Sequence, residues 1–148
     1  MNVSSILLVE DHPAFADALL RVLNTDKNLT VVAVVESAEK ALEQISDLKV
    51  DLVLSDVSLP QMNGINLVGE LHKKYPTLPC VVLSGHLSAE YARRAMDAGA
   101  RGYVIKDNPI GILEGIRHVL KGEIYMSEEL SDSPLLGPPT AAAGLTGA

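Results

Sequence analysis

The chain has 148 residues, 47% of them hydrophobic and 21% charged, a balance that fits one globular domain and excludes a disordered chain. A formal net charge of −7 excludes a basic face for gripping nucleic acid, and no apolar run reaches the roughly 18 residues of a membrane helix. The single cysteine, Cys80, excludes an internal disulfide, and with no basic secretory start the expected location is the cytoplasm.

The first apolar run, 6–9, leads straight into Glu10 and Asp11. Pro13 then stands at a first helical position, with Phe15, Leu19, Val22 and Leu23 at helical spacing behind it. A second run covers 31–35. Ser37 caps the next helix, whose buried stripe is Ala38, Ala41, Leu42 and Ile45; Lys40 stands where a capping box would place Glu. The third run, 52–55, ends at Asp56. A helix over 65–74 stops before Tyr75-Pro76, since proline disfavours helix in the residue ahead of it. Cys80 opens the next run as a small buried hydrophobe, and Ser84 ends it. Ser88 caps an Ala-rich helix that finishes near Gly99. The run 103–105 ends at Lys106, and a last helix over 109–121 buries Leu113, Ile116 and Leu120 before Gly122.

Consecutive Val, Ile and Leu, rather than alternation, mark strands covered on both faces. Strand–helix units repeated five times imply an α/β fold: an open, doubly wound, five-stranded parallel sheet with right-handed crossovers. A closed barrel would need about eight units and about 250 residues. Beyond Glu123 the composition turns to Ser, Gly, Pro and Ala. The domain is therefore expected over 1–125, with 126–148 a linker or tail lacking order.

In open sheets of this kind ligands bind beyond the carboxyl ends of the strands. Glu10, Asp11 and Asp56 all fall there. Carboxylates about 4 Å apart repel by about 4 kcal/mol at an effective dielectric of about 20, so three converging ones call for a cation. Hard oxygen ligands suit Mg²⁺. Asp56 is the candidate nucleophile, because a carboxylate can attack phosphorus to give an acyl phosphate. Lys106 offers a compact positive charge to phosphoryl oxygens, and Ser84 a hydroxyl that can donate to them. Taken one at a time, each of these residues has an ordinary reading as a helix cap, a loop acid or a surface lysine. Their joint placement at successive strand ends argues against it.

The strings Leu7-Leu8-Val9-Glu10-Asp11-His12-Pro13, Asp51-Leu52-Val53-Leu54-Ser55-Asp56-Val57-Ser58-Leu59-Pro60-Gln61-Met62-Asn63-Gly64 and Gly102-Tyr103-Val104-Ile105-Lys106-Asp107 closely resemble the receiver domains of two-component response regulators, over about residues 5–125. The resemblance implies a flavodoxin-like (βα)5 fold with strand order 2-1-3-4-5. It implies that Asp56 accepts a phosphoryl group from a sensor histidine kinase, with Mg²⁺ held by Glu10, Asp11, Asp56 and the backbone carbonyl of Ser58. Ser84 and Lys106 match the phosphoryl-sensing hydroxyl and lysine, and Tyr103 the aromatic that turns inward on activation. Such a domain catalyses its own phosphorylation and dephosphorylation but is not otherwise an enzyme.

The segment Gly122-Glu123-Ile124-Tyr125-Met126-Ser127 resembles the exit from receivers of the NarL/FixJ (LuxR-type) subfamily. The resemblance implies a DNA-binding helix-turn-helix effector near Leu145-Thr146, outside this chain, and a homodimer to which Ile110 and Ile112 are apolar candidates, although core packing explains the two equally well. Departures are Asp107 where many members have proline, adding a negative charge able to pair with Lys106, and Glu10 in place of a second Asp. His12 and His86 read as loop residues, His72 and His118 as helix-surface residues. The competing readings are a standalone relay receiver and an Asp-nucleophile phosphatase, although Ser58 stands where the phosphatase needs its general acid. A flavin binder is disfavoured by the lack of a Gly-rich phosphate loop.

Overall fold

The apolar runs do form a parallel sheet. The computed structural model describes residues 3–85 and 88–127. In chain order the elements are β1 (Ser4–Val9), α1 (Pro13–Leu23), β2 (Leu29–Val35), α2 (Ala38–Gln44), β3 (Leu52–Asp56), α3 (Gly64–Lys74), β4 (Cys80–Ser84), α4 (Ala89–Ala98), β5 (Gly102–Ile105), α5 (Pro109–Leu120) and β6 (Tyr125–Met126). The strands lie in the order β2-β1-β3-β4-β5-β6, every pair parallel. The order among the first five is the expected one. The two-residue β6 is an addition, too short to leave a hydrophobic signature; Tyr125 N–H donates to Arg101 O at 2.9 Å and Ser127 N–H to Tyr103 O at 3.0 Å. Of the expected tail 126–148, Met126 and Ser127 are held in this pairing, while residues 128–148, and His86, lie outside the described residues.

Each central strand feeds two cores. Along β1, Ile6 and Leu8 pack with α1 and α5, while Leu7 and Val9 pack with α2, α3 and α4. The edge strand β2 departs from that rule. Its register with β1 jumps from Ile6↔Val31 to Leu7↔Ala33, leaving Val32 as a bulge. The bulge turns the strand over: Leu29 and Val31 serve the α1/α5 core, Ala33 and Val35 the opposite one.

Caps follow local chemistry. The hydroxyls of Ser37 and Ser88 accept from Lys40 and Tyr91 N–H, both at 3.1 Å, and the amide oxygens of Asn63 and Asn108 accept from Asn66 and Gly111 at 2.8 and 3.0 Å. Gly99 ends α4 at φ 117°, in the left-handed region that favours glycine. In α5 the buried stripe is Ile112, Ile116 and Val119, with Leu113 and Leu120 on its flank, one register from the expected set. Glycines explain the shift: a Cβ at Gly115 would stand 2.7 Å from Val104 Cγ1, so the glycine face of α5 is the one pressed onto β5. This puts Ile112 in the core at 1% exposure and leaves Ile110, 71% exposed, as the apolar surface residue of the pair. Among the described residues no helix is long and apolar enough to cross a membrane.

One ion pair ties α5 to the turn after α1. Asp26 accepts from Asn28 N–H at 2.8 Å and from Arg117 Nε at 2.9 Å, and these bonds, the first above all, hold its carboxyl below the usual range. A depressed folded value gives stability that is present above the unfolded carboxylate pKa of about 3.9 and lost as pH falls through the folded value. Asp26→Asn is expected to lower stability by about 0.5–1 kcal/mol at pH ~7, with a narrower gap at pH ~3. Urea midpoints for both proteins at the two pH values check this; a gap that is undiminished in acid rules out the charge as its source.

Candidate functional site

The carboxyl ends of β1, β3, β4 and β5 converge at the switch in strand order between β1 and β3. Backbone bonds fix each group in place. Glu10 N–H donates to Val35 O at 2.9 Å, Val57 N–H to Leu83 O at 2.9 Å, and Lys106 N–H to Ser84 O at 2.9 Å. Asp56 is the last residue of β3 and Ser84 the last of β4, one step inside the sheet edge, so both are almost fully buried at 1% and 2% exposure. Asp56 owes part of its position to Gly64. The Gly64 N–H donates to Val57 O at 2.9 Å, and the helix start passes so close that an added Cβ would lie 1.9 Å from the Asp56 carbonyl oxygen.

Lys106 closes the site. Its Nζ donates to Asp56 Oδ2 at 2.8 Å and stands 3.0 Å from Glu10 Oε1. The second contact is an ion pair with a buried oxygen of Glu10. Burial pushes the Asp56 carboxyl up; the Lys106 bond opposes that, and the Glu10 charge adds to it. Burial pulls Lys106 down, but the attraction of Asp56 and Glu10 outweighs it and holds the ammonium above its ordinary value. Asp107, the departure next door, is exposed, and the ion pairs of Lys106 are with Asp56 and Glu10 instead.

The other oxygen of Asp56, Oδ1, accepts from Ser58 N–H at 3.1 Å, and Ser58 itself is exposed. His12 takes a role the sequence does not announce. As the residue ahead of α1 it makes no cap bond; its N–H donates to Glu10 Oε2 at 3.1 Å, and Nδ1 lies 3.0 Å from that oxygen and 3.2 Å from Asp11 Oδ1. The bond to Glu10, then the Asp11 charge, raise its pKa. Of the other histidines, His72 is exposed and flanks Gly99, while His118 bonds Glu123 and stacks on Tyr125 with ring centroids 5.4 Å apart.

The donor set suits a hard dication. Glu10, Asp11, His12 and Asp56 each bring a ligand atom within 4.8 Å of the others, and the buried carboxylate oxygens Glu10 Oε1 and Asp11 Oδ1 have Lys106 Nζ and His12 Nδ1 as their ion-pair neighbours. An open cleft of about 280 Å³, lined by Asp11, Glu36, Ser37, Pro60 and Gln61, reaches Asp11 from solvent. Gln61 takes φ 62° there.

Tyr103 is fully buried and shares a hydrogen bond with Ser84; burial raises its phenol and the Ser84 bond opposes that. Its ring therefore stands inward, not at the sheet edge. Cys80 is buried too, its thiol pushed up to about 12, which makes it inert at neutral pH.

The model of the response regulator receiver domain family matches residues 6–118. Among curated relatives, the transcriptional activator protein ExaE of Pseudomonas putida is 33% identical over 140 residues, 94% of this chain and 65% of that protein. The nitrate/nitrite response regulator protein NarL of Escherichia coli K12 is 31% identical over 129 residues, 86% of this chain and 60% of its own length. The chain thus spans about three-fifths of such relatives. The crystal structure of a LuxR-family two-component response regulator from Aurantimonas sp. SI85-9A1 superposes with a TM-score of 0.84 at 27% identity, covering 87% of this chain and 93% of that one. Fold, site and matches agree: the chain belongs to the receiver domains of two-component response regulators, among relatives of the NarL/LuxR type.

Proposed function

We propose that Asp56 is the phosphoacceptor of this receiver and that its phosphorylation controls a DNA-binding effector outside the chain. In the reaction a carboxylate oxygen of Asp56 attacks the phosphorus of a kinase phosphohistidine. The P–N bond breaks, its electron pair stays on the imidazole, and solvent supplies the proton that nitrogen takes up. Glu10, Asp11, Asp56 and the Ser58 carbonyl are the residues that would hold Mg²⁺, which when bound neutralises charge gathering on the phosphoryl oxygens. Lys106 pairs with one of those oxygens, and the Ser84 hydroxyl donates to another. Ser84 shares a bond with Tyr103, so the phosphoryl group biases the inward position of that ring against an outward one.

The observation that carries this reading is Lys106 Nζ at 2.8 Å from Asp56 and 3.0 Å from Glu10, a cation already aimed at the acceptor carboxylate. The relatives' names support transcriptional output, and the same reading places the chain in the cytoplasm, facing a sensor histidine kinase and a second copy of itself. On this account it turns over no other substrate. Intact-protein mass after incubation with acetyl phosphate tests it. One phosphoryl adduct is expected, dependent on Mg²⁺ and absent in Asp56→Asn. An adduct that survives in Asp56→Asn, or none in the parent protein, sinks the assignment.

A further inference from the structure

The Lys106 ammonium has a third neighbour. Its Nζ stands 4.6 Å from the centroid of the Phe15 ring, within reach of the negative quadrupole of an aromatic face. Phe15 lies in the first turn of α1, two residues after Pro13, partly buried against the α1/α5 core. Both ends of its position are fixed: Pro13 starts the helix, and Leu19 and Leu23 bury its following turns. The ring is thus presented by a rigid element.

A lysine side chain with several rotatable bonds loses substantial rotamer freedom when held at one spot, and Lys106 keeps 19% exposure through which its head could swing to solvent. The two carboxylates that hold it have other tasks in the proposed cycle. Asp56 becomes an acyl phosphate, and Glu10 belongs to the metal-binding set. Among the described neighbours of Lys106, the face of Phe15 offers an attraction that stays the same before and after transfer.

We propose that Phe15 is a positioning residue for Lys106, its ring face holding the ammonium at the acceptor so that it meets the incoming phosphoryl group. The effect on phosphorylation rests on the phosphoacceptor reading of Asp56; the contact itself does not. The plain alternative is that Phe15 only fills the core, and shape alone would then account for it.

Phe15 is the sole phenylalanine of the chain, so global labelling with fluorinated phenylalanines alters this ring and no other. Fluorine drains the face of electron density with little change in shape. Through a mono-, di- and pentafluoro series the Mg²⁺-dependent phosphorylation rate with acetyl phosphate is expected to fall stepwise, by about tenfold in all. Phe15→Leu is expected to fall similarly and Phe15→Trp to restore the rate. In unphosphorylated protein the methylene signals of Lys106 next to Nζ are expected to be shifted upfield by the ring current, and to lose that shift in Phe15→Leu. Normal adduct formation with rates flat across the fluorinated series, or a Lys106 signal unmoved by Phe15→Leu, overturns the role of Phe15. Absence of any adduct in unlabelled protein overturns the phosphoacceptor reading instead, whatever the Lys106 signal does.

Discussion

Gly64→Ala is expected to destabilise the domain by about 3 kcal/mol, at the upper end for overpacking. The new methyl would meet backbone, not a side chain that could rotate away: 1.9 Å to Asp56 O and 2.8 Å to Asp56 C, with Ser55 Oγ at 3.1 Å. Relief requires the end of β3 or the start of α3 to move. Either displaces Asp56, whose carbonyl accepts from Ser55 Oγ at 3.1 Å and whose Oδ1 accepts from Ser58 N–H at 3.1 Å. Phosphorylation is therefore expected to fail before the fold does. Gly69→Ala, in the same helix, is the control. Its added Cβ would find only Ala98 Cβ at 4.0 Å, so the helix propensity of alanine prevails and stability is expected to rise by about 0.5–1 kcal/mol. Urea unfolding of both variants decides the point; equal effects would mean that the contact with Asp56 is absorbed by small backbone adjustments.

How far the sequence carries this molecule can be traced through particular residues. The strand ends bearing Glu10, Asp56, Ser84 and Lys106 are legible because strands buried on both faces leave uninterrupted apolar runs, and polar residues that interrupt them stand out. Gly64 is less so: a glycine after Asn63 reads as an ordinary helix start, and only the proximity of β3 makes it indispensable. Phe15 fits the apolar stripe of α1, and nothing local tells that its ring face meets the lysine at the end of β5. Similarly, His12 looks like a residue preceding proline, while its ring engages both acids. Val32 sits in an unbroken run whose bulge exists because β2 must serve two cores from one edge. The misplaced stripe of α5 has the same origin, since Gly115 carries no hydrophobic signal yet sets the face that touches Val104 of β5. Local pattern reports which element forms; distances across the sheet decide what its side chains do.

Lys106→Met should show how much strain the acceptor site contains. Glu10 and Asp56 are 2% and 1% exposed, and their ligand atoms lie within 4.8 Å of each other. Removing the cation leaves two buried carboxylates facing one another, and breaking a buried ion pair from one side typically costs about 3–5 kcal/mol. Because the Lys106 side chain is 19% exposed, water relieves part of that, and a loss of about 3 kcal/mol is expected in EDTA. Asp56→Asn removes one negative charge and keeps the Lys106–Glu10 pair, so it is expected to match or exceed the parent in stability. Adding Asp56→Asn to Lys106→Met should then recover most of the loss, a coupling of at least about 1 kcal/mol between residues in direct contact. Mg²⁺ supplies a second check. A dication stands in for the missing charge, so the rise in Tm on adding Mg²⁺ should be larger for Lys106→Met than for the parent protein. If Lys106→Met unfolds at the parental urea midpoint in EDTA, the lysine is not what makes the buried carboxylates tolerable, and the electrostatic account of the site fails with it.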